Sequence, residues 1–201
     1  MTYTTSVNIE IGIDDNFQYI VTPNVQRVLG DIVSSIQVGV HSFSIIGTYG
    51  IGKSTFLIAL EEGLQHNSKK LLTNRTVFFG LDKFTIVNVV GEFKSLKSTL
   101  AKKFTCDEDA VLDTIKSYCK KEESKGKGVF LVIDEFGKAL EHAAKNNPEE
   151  ELYFIQQLCE IINDSRRKAV LLTTLHQNFG AYSHKLTDEQ RKEWQKVKGR
   201  F

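Results

Sequence analysis

Residues Gly47-Thr48-Tyr49-Gly50-Ile51-Gly52-Lys53-Ser54-Thr55 decide how the rest of this 201-residue chain is read. They satisfy the pattern G-x-x-x-x-G-K-[S/T] at every fixed position. An apolar strand-like run, 41–46, precedes them, and a helical pattern through about Glu62 follows. Strand, glycine-rich loop and helix in that order let consecutive backbone N–H groups converge on a phosphate, with the positive end of the helix behind them. Gly47, Thr48, Tyr49, Gly50, Ile51, Gly52, Lys53, Ser54 and Thr55 form the expected nucleotide-binding set. Lys53 is expected to reach the β- and γ-phosphate oxygens, and the Ser54 hydroxyl to ligate Mg²⁺. A turn that merely connects a strand to a helix has no need of a lysine and a hydroxyl at these offsets.

Downstream, strand-like runs at 84–90, 129–133 and 169–175 alternate with helical stretches at 94–104, 107–123 and 148–164. The 129–133 and 169–175 runs are apolar throughout or nearly so, as strands buried on both faces are. The alternation predicts a three-layer α/β/α domain over 24–201 with a mainly parallel sheet. A helix over 25–38 is expected to lead into the first strand, with Pro23 and Asn24 ending the segment before it. That segment alternates at Val7, Ile9, Ile11 and Ile13, breaks at Asp14-Asp15-Asn16, and resumes at Phe17, Tyr19 and Val21. It predicts a β-hairpin extension over 1–23.

A second chemical signal lies at the end of the 129–133 run, where Asp134 and Glu135 follow directly. In open α/β sheets ligands bind at the carboxyl ends of the strands. Asp134 is the expected second metal residue beside Ser54, orienting Mg²⁺ and its waters. Glu135 is the expected base for the attacking water. An acidic pair that only caps the next helix is the plain alternative, and the phosphate loop upstream weighs against it. The letters D-E-F-G invite comparison with protein kinases, but neither an H-R-D loop nor a kinase glycine loop accompanies them. The sequence also lacks the N-K-x-D element that reads guanine, which favours ATP over GTP.

The chain is 41% hydrophobic and 25% charged, an ordinary composition for a globular domain. Its formal charge of +1 supplies no general footprint for nucleic acid, so such a partner is unsupported by net charge. No apolar run approaches the roughly 20 residues of a membrane span, and the polar start MTYTTSVNIE lacks the layout of a signal peptide. A cytoplasmic location without membrane contact is expected. Cys106, Cys119 and Cys159 have neither metal-ligand spacing nor an even count, and are expected to be reduced structural thiols.

On the GTYGIGKST loop, the FTIVNVVGEF strand, the LVIDE segment and the polar end of AVLLTTLHQN, the chain over 25–201 resembles the additional-strand, catalytic-glutamate division of P-loop ATPases. Within that division it is similar to the AAA+ group near the origin-recognition and initiator ATPases, with signal-transducing (STAND) ATPases as rivals. The resemblance implies Mg-dependent ATP binding and hydrolysis that drives a conformational switch or assembly. It also implies a polar sensor at the end of the fourth strand, where this chain has His176, with Thr174, Gln177 and Asn178 as neighbours that compete for the role. The family's sensor is usually asparagine or threonine, so His176 departs from it.

The VKGRF ending is similar to the segment in which an arginine acts on a neighbouring subunit's nucleotide. This makes Arg200 the candidate finger, with Arg166, Arg167 and Arg191 as competitors. Catalytic residues implied are therefore Lys53, Glu135, His176 and Arg200. The family sheet has a fifth strand and then a helical lid, and neither is present before Phe201. A fragment of a longer protein is expected, or an exposed first-strand edge covered by a partner or by the hairpin. Self-association, or association with other subunits, follows from a finger acting in trans. Two further classes stay open: a nucleotide-gated signalling or defence module with little turnover, and a phosphotransferase on the same scaffold.

Overall fold

Two strands are buried along their whole length, β3 (Gly128–Asp134) and β4 (Ala169–Leu175). Strands covered on both faces belong at the centre of a sheet. The computed structural model of the protein, which describes Ile9 and residues 19–66, 71–184 and 186–201, places them there. β1 (Ser42–Ile46) pairs with β4 and β2 (Phe84–Val90) with β3, giving the order β1-β4-β3-β2. Every pairing among the described residues is parallel. The hairpin expected over 1–23 lies outside the described residues apart from Ile9 and 19–23. Ile9 is buried, and its carbonyl accepts from the Asn88 side chain at 3.3 Å.

Side-chain alternation along β3 builds the three layers. Val129, Leu131 and Ile133 point to one core, while Phe130 and Val132 point to the other. The first core is closed by α3 (Leu96–Phe104), α4 (Val111–Glu123), α5 (Phe136–Lys145), α6 (Pro148–Ile162) and α7 (Asp188–Lys198). The second is closed by α1 (Pro23–Gln37) and α2 (Lys53–Gln65). α1 begins two residues earlier than its apolar spacing suggests. Pro23 ends the preceding segment and also opens the helix at its first turn, and the Thr22 hydroxyl caps the Val25 N–H at 3.3 Å.

Two helices, α5 and α7, have no counterpart among the expected elements. α5 carries Phe136, Ala139, Leu140 and Ala143 on one buried face, a helical spacing that the adjacent acidic pair overshadows in the sequence. α7 is polar almost throughout and buries Trp194 and Val197. Its start is a capping box in which Thr187 and Gln190 bond each other's backbone N–H. The Trp194 indole N–H donates to the Phe179 carbonyl at 2.8 Å, anchoring the helix over the segment that follows β4.

The thiols behave as structural groups. Burial pushes the Cys119 thiol up to about 11 and the Cys159 thiol up to about 12, so neither is ionised near neutral pH. Iodoacetamide at pH 8 is expected to modify Cys106 in the native chain and the other two only in denaturant, read by intact mass and peptide mapping. Native-state labelling of Cys159 would show that α6 does not pack as described.

Candidate functional site

Strand register decides which residues meet. Ile46 pairs with Leu175, Ile133 with Thr173, and Val90 with Asp134. The residues that follow, Gly47, His176 and Glu135, therefore emerge side by side at the carboxyl edge of the sheet. The Gly47 N–H donates to the Leu175 carbonyl at 3.0 Å, tying the base of the glycine-rich loop to β4.

The loop turns on Gly50 and Gly52, whose φ angles of 79° and 91° are left-handed and suit glycine. Gly52 caps α2 without a side chain, and the first turn holds no acidic residue. The amino end of α2 thus keeps unspent N–H groups and an unopposed positive dipole. Lys53 and Ser54 open this helix. Lys53 is buried, 8% exposed, and its ammonium donates to the Gly47 carbonyl at 2.6 Å and the Thr48 carbonyl at 2.9 Å. Burial lowers its pKa, and the attraction of Asp134 and Glu135 restores part of the loss.

Asp134 ends β3 in a buried position and uses one oxygen, Oδ1, to accept from the Thr174 hydroxyl and from the Glu135 N–H at 3.0 Å. Thr174 Oγ also accepts from that N–H at 3.0 Å. Glu135 adopts φ 57° and ψ 29°, a left-handed conformation that costs a non-glycine residue about 1 kcal/mol. Thr174 and Asp134 hold it there through its backbone, and the turn starts α5 directly after the strand. Strain of this kind concentrates at working sites.

The Glu135 carboxylate meets two partners, His176 Nε2 at 3.1 Å and Lys138 Nζ at 3.2 Å. Burial raises its pKa, but the hydrogen bonds from His176 and Lys138 outweigh that, and the carboxyl ends below the ordinary glutamate value. His176 Nδ1 lies 3.5 Å from the Lys53 ammonium. An ammonium only donates, so Nδ1 is the acceptor of this contact, and the Nε2–H donates to the Glu135 carboxylate. One imidazole thus joins the loop lysine to the acidic pair, with the Tyr49 ring stacked on it at 3.5 Å between centroids and 22° between planes.

Of the expected site residues, Lys53, Asp134, Glu135 and His176 come together, with Ser54 next to Lys53 on α2. The competitors for His176 divide. Asn178 is turned away, capping the 3₁₀ turn Phe179–Tyr182 through the Ala181 N–H at 3.1 Å, and Gln177 is exposed. Thr174 is fully buried and serves Asp134 and Glu135 from behind.

Arg200 is not brought to the site of its own chain. Its guanidinium pairs with Glu160 at 2.7 Å, and its carbonyl accepts from Asn163, which also binds the His41 N–H at the amino end of β1. The glycine-rich loop is at the other end of that strand. Arg166 and Arg191 are held by Asp164 and Asp188 on their own segments, and Arg167 is buried against Glu123. Lys138 and Tyr49 are site residues whose contacts sequence reasoning missed. Lys138 becomes visible once α5 is recognised, because it stands one helical turn after Glu135.

No family model matches the chain, and no curated protein matches it in sequence. Solved structures share its fold. The Aeropyrum pernix ORC2 protein in its ADPNP–ADP complexes superposes with a TM-score of 0.55 at 16% identity, over 90% of this chain and 48% of that one. The ADP form of the same protein gives 0.50 at 16%, over 89% and 49%. C. elegans PCH-2 gives 0.49 at 16%, over 87% and 42%. The chain therefore spans about half the length of the ORC2 structures it matches. The likeness to the ORC2 structures is one of fold: in this chain, a three-layer α/β domain whose described strands form an all-parallel four-stranded sheet.

Proposed function

We propose that the chain binds Mg·ATP in the 47–55 loop and hydrolyses it with Glu135 as the base, working as a switch or assembly module of AAA+ type. The observation that carries this reading is the convergence of Lys53, Asp134, Glu135 and His176 at the carboxyl edge of a parallel sheet, linked by the 3.5 Å and 3.1 Å contacts of one imidazole. Lys53 and the amino end of α2 supply positive charge for the phosphates. Glu135, held by its backbone and kept ionised by its partners, accepts a proton from water. His176 reads the γ-phosphate from the end of β4, the polar-sensor role in this fold.

The residues fit magnesium. Mg²⁺ keeps most of its waters and takes one or two carboxylates together with phosphate oxygens, so it needs no dedicated cage. Among the described residues no cluster of three or more metal-binding side chains exists, and Asp134 commits Oδ1 to protein donors, with Oδ2 left for a metal or its waters. Ser54 and Asp134 would hold the ion, which when bound offsets phosphate charge as the γ-phosphoryl group is transferred.

Arg200, distant from the site in its own chain, is proposed to act on the nucleotide of a neighbour, which makes self-association part of this reading. Turnover that rises with protein concentration agrees with it. No helix among the described residues is long and apolar enough to cross a membrane. Titration with fluorescent ATP and GTP analogues, with and without Mg²⁺, tests the core claim. Mg-dependent, ATP-selective binding is expected, and failure of both nucleotides to bind would sink it.

A further inference from the structure

The glycine-rich loop is closed on itself. Lys53 spends two of its three donors on the loop's own carbonyls at Gly47 and Thr48, and directs the third toward His176. The Ile51 side chain lies over Gly47, with its Cδ1 2.0 Å from where a Cβ on that glycine would stand. Tyr49, at the crest of the same loop, is 71% exposed, and the face it covers is the imidazole of His176. For Lys53 to meet a phosphate it must leave the carbonyls on either side of the Gly47–Thr48 junction. Tyr49 is the next residue along, so an opening of the loop that turns those carbonyls away from the lysine also carries the tyrosine ring.

We infer that Tyr49 is a latch: with the loop closed around Lys53 its ring pins His176 against Glu135, and opening of the loop around a nucleotide breaks the stack and frees the imidazole. This rests on the reading of the site as an ATP site and adds a positioning residue to it. In the latched state Glu135 is bound by both His176 and Lys138, which leaves the carboxylate poorly placed to receive a proton from water. Entry of the nucleotide withdraws one of those partners, so base and substrate become ready together. The device needs an aromatic ring at position 49, which the phosphate-binding pattern leaves unconstrained.

The test is an NMR measurement on chain labelled at the histidine rings, with His176 assigned through His176→Gln. A ring stacked on Tyr49 carries an upfield shift of its carbon-bound protons. The shift is expected in the free wild type, retained in Tyr49→Phe and lost in Tyr49→Ala. It is expected to vanish from the wild type on saturation with Mg·ATPγS, saturation being read separately with a fluorescent analogue. Tyr49→Ala is also expected to bind that analogue about two- to tenfold more tightly, because one aromatic pair no longer has to be broken. A tyrosine that merely braces the loop or touches the nucleotide gives weaker binding when removed, and that result would overturn the latch. So would an upfield shift that persists in the saturated complex, with the ATP reading intact. Absence of any nucleotide binding overturns both.

Discussion

Replacing Lys53 with alanine is expected to weaken Mg·ATP binding on the order of 100-fold while leaving the fold in place. A hydrogen bond to a charged partner is worth about 1.5–3 kcal/mol, which is about ten- to 150-fold in a dissociation constant. The folded state does not depend on the ammonium to the same degree. Burial depresses the Lys53 pKa despite Asp134 and Glu135 nearby, so folding disfavours the charged form and the lost group was not a net electrostatic gain. The carbonyls it releases belong to half-buried Gly47 and exposed Thr48, which water reaches. The thermal midpoint is therefore expected to stay within about 4 °C, the change that 1 kcal/mol produces in a domain of this size. Calorimetric titration and a melting curve on the same sample read both quantities. Wild-type affinity in Lys53→Ala would remove the loop from the nucleotide site, and a collapse of the midpoint would make the lysine structural.

The glycine-rich loop and the acidic pair stand out in the sequence because the signals they carry are local. A lysine and a hydroxyl at fixed offsets from a glycine, or two carboxylates after a buried run, need no knowledge of the partners across the sheet. The strands 84–90 and 169–175 coincide with β2 and β4 for a similar reason, since apolar runs in a parallel sheet signal their own burial. α7 was not legible by that route. Most of its surface is polar, and the contact that holds it, Trp194 to the Phe179 carbonyl, joins segments whose proximity only the fold creates.

His176 marks the boundary between the two kinds of reading. Counting along 169–175 places it close to the sensor position, but the choice among Thr174, His176, Gln177 and Asn178 depends on register. With Ile133 opposite Thr173, Thr174 lies against the backbone of the acidic turn and His176 clears the strand end to reach the Glu135 carboxylate. The stack on Tyr49 was out of reach for a different reason. It joins a position with no constraint in the loop pattern to a residue more than a hundred positions away, and it depends on the loop being closed around Lys53.

Replacement of Glu135 with glutamine is expected to lower the rate of ATP hydrolysis by about 10² to 10³ and to leave nucleotide affinity close to wild type. The size follows from losing one charge-stabilising group at the reacting centre, about 2.7–4 kcal/mol of barrier. The selectivity follows from what the position touches. Glu135 reaches the lysine and the loop through His176, and its backbone N–H, bound by Asp134 and Thr174, is unchanged in the amide. Glutamine has the same length, and its amide oxygen accepts from His176 Nε2 and Lys138 as the carboxylate does. It lacks the charge that draws a proton from water. The variant should hold Mg·ATP without consuming it, which a filter-binding assay and a phosphate-release assay distinguish. Hydrolysis at the wild-type rate would move the base to another group. Loss of binding together with turnover would mean that the carboxylate organises the phosphate loop, acting through His176 on Lys53, before any water is activated.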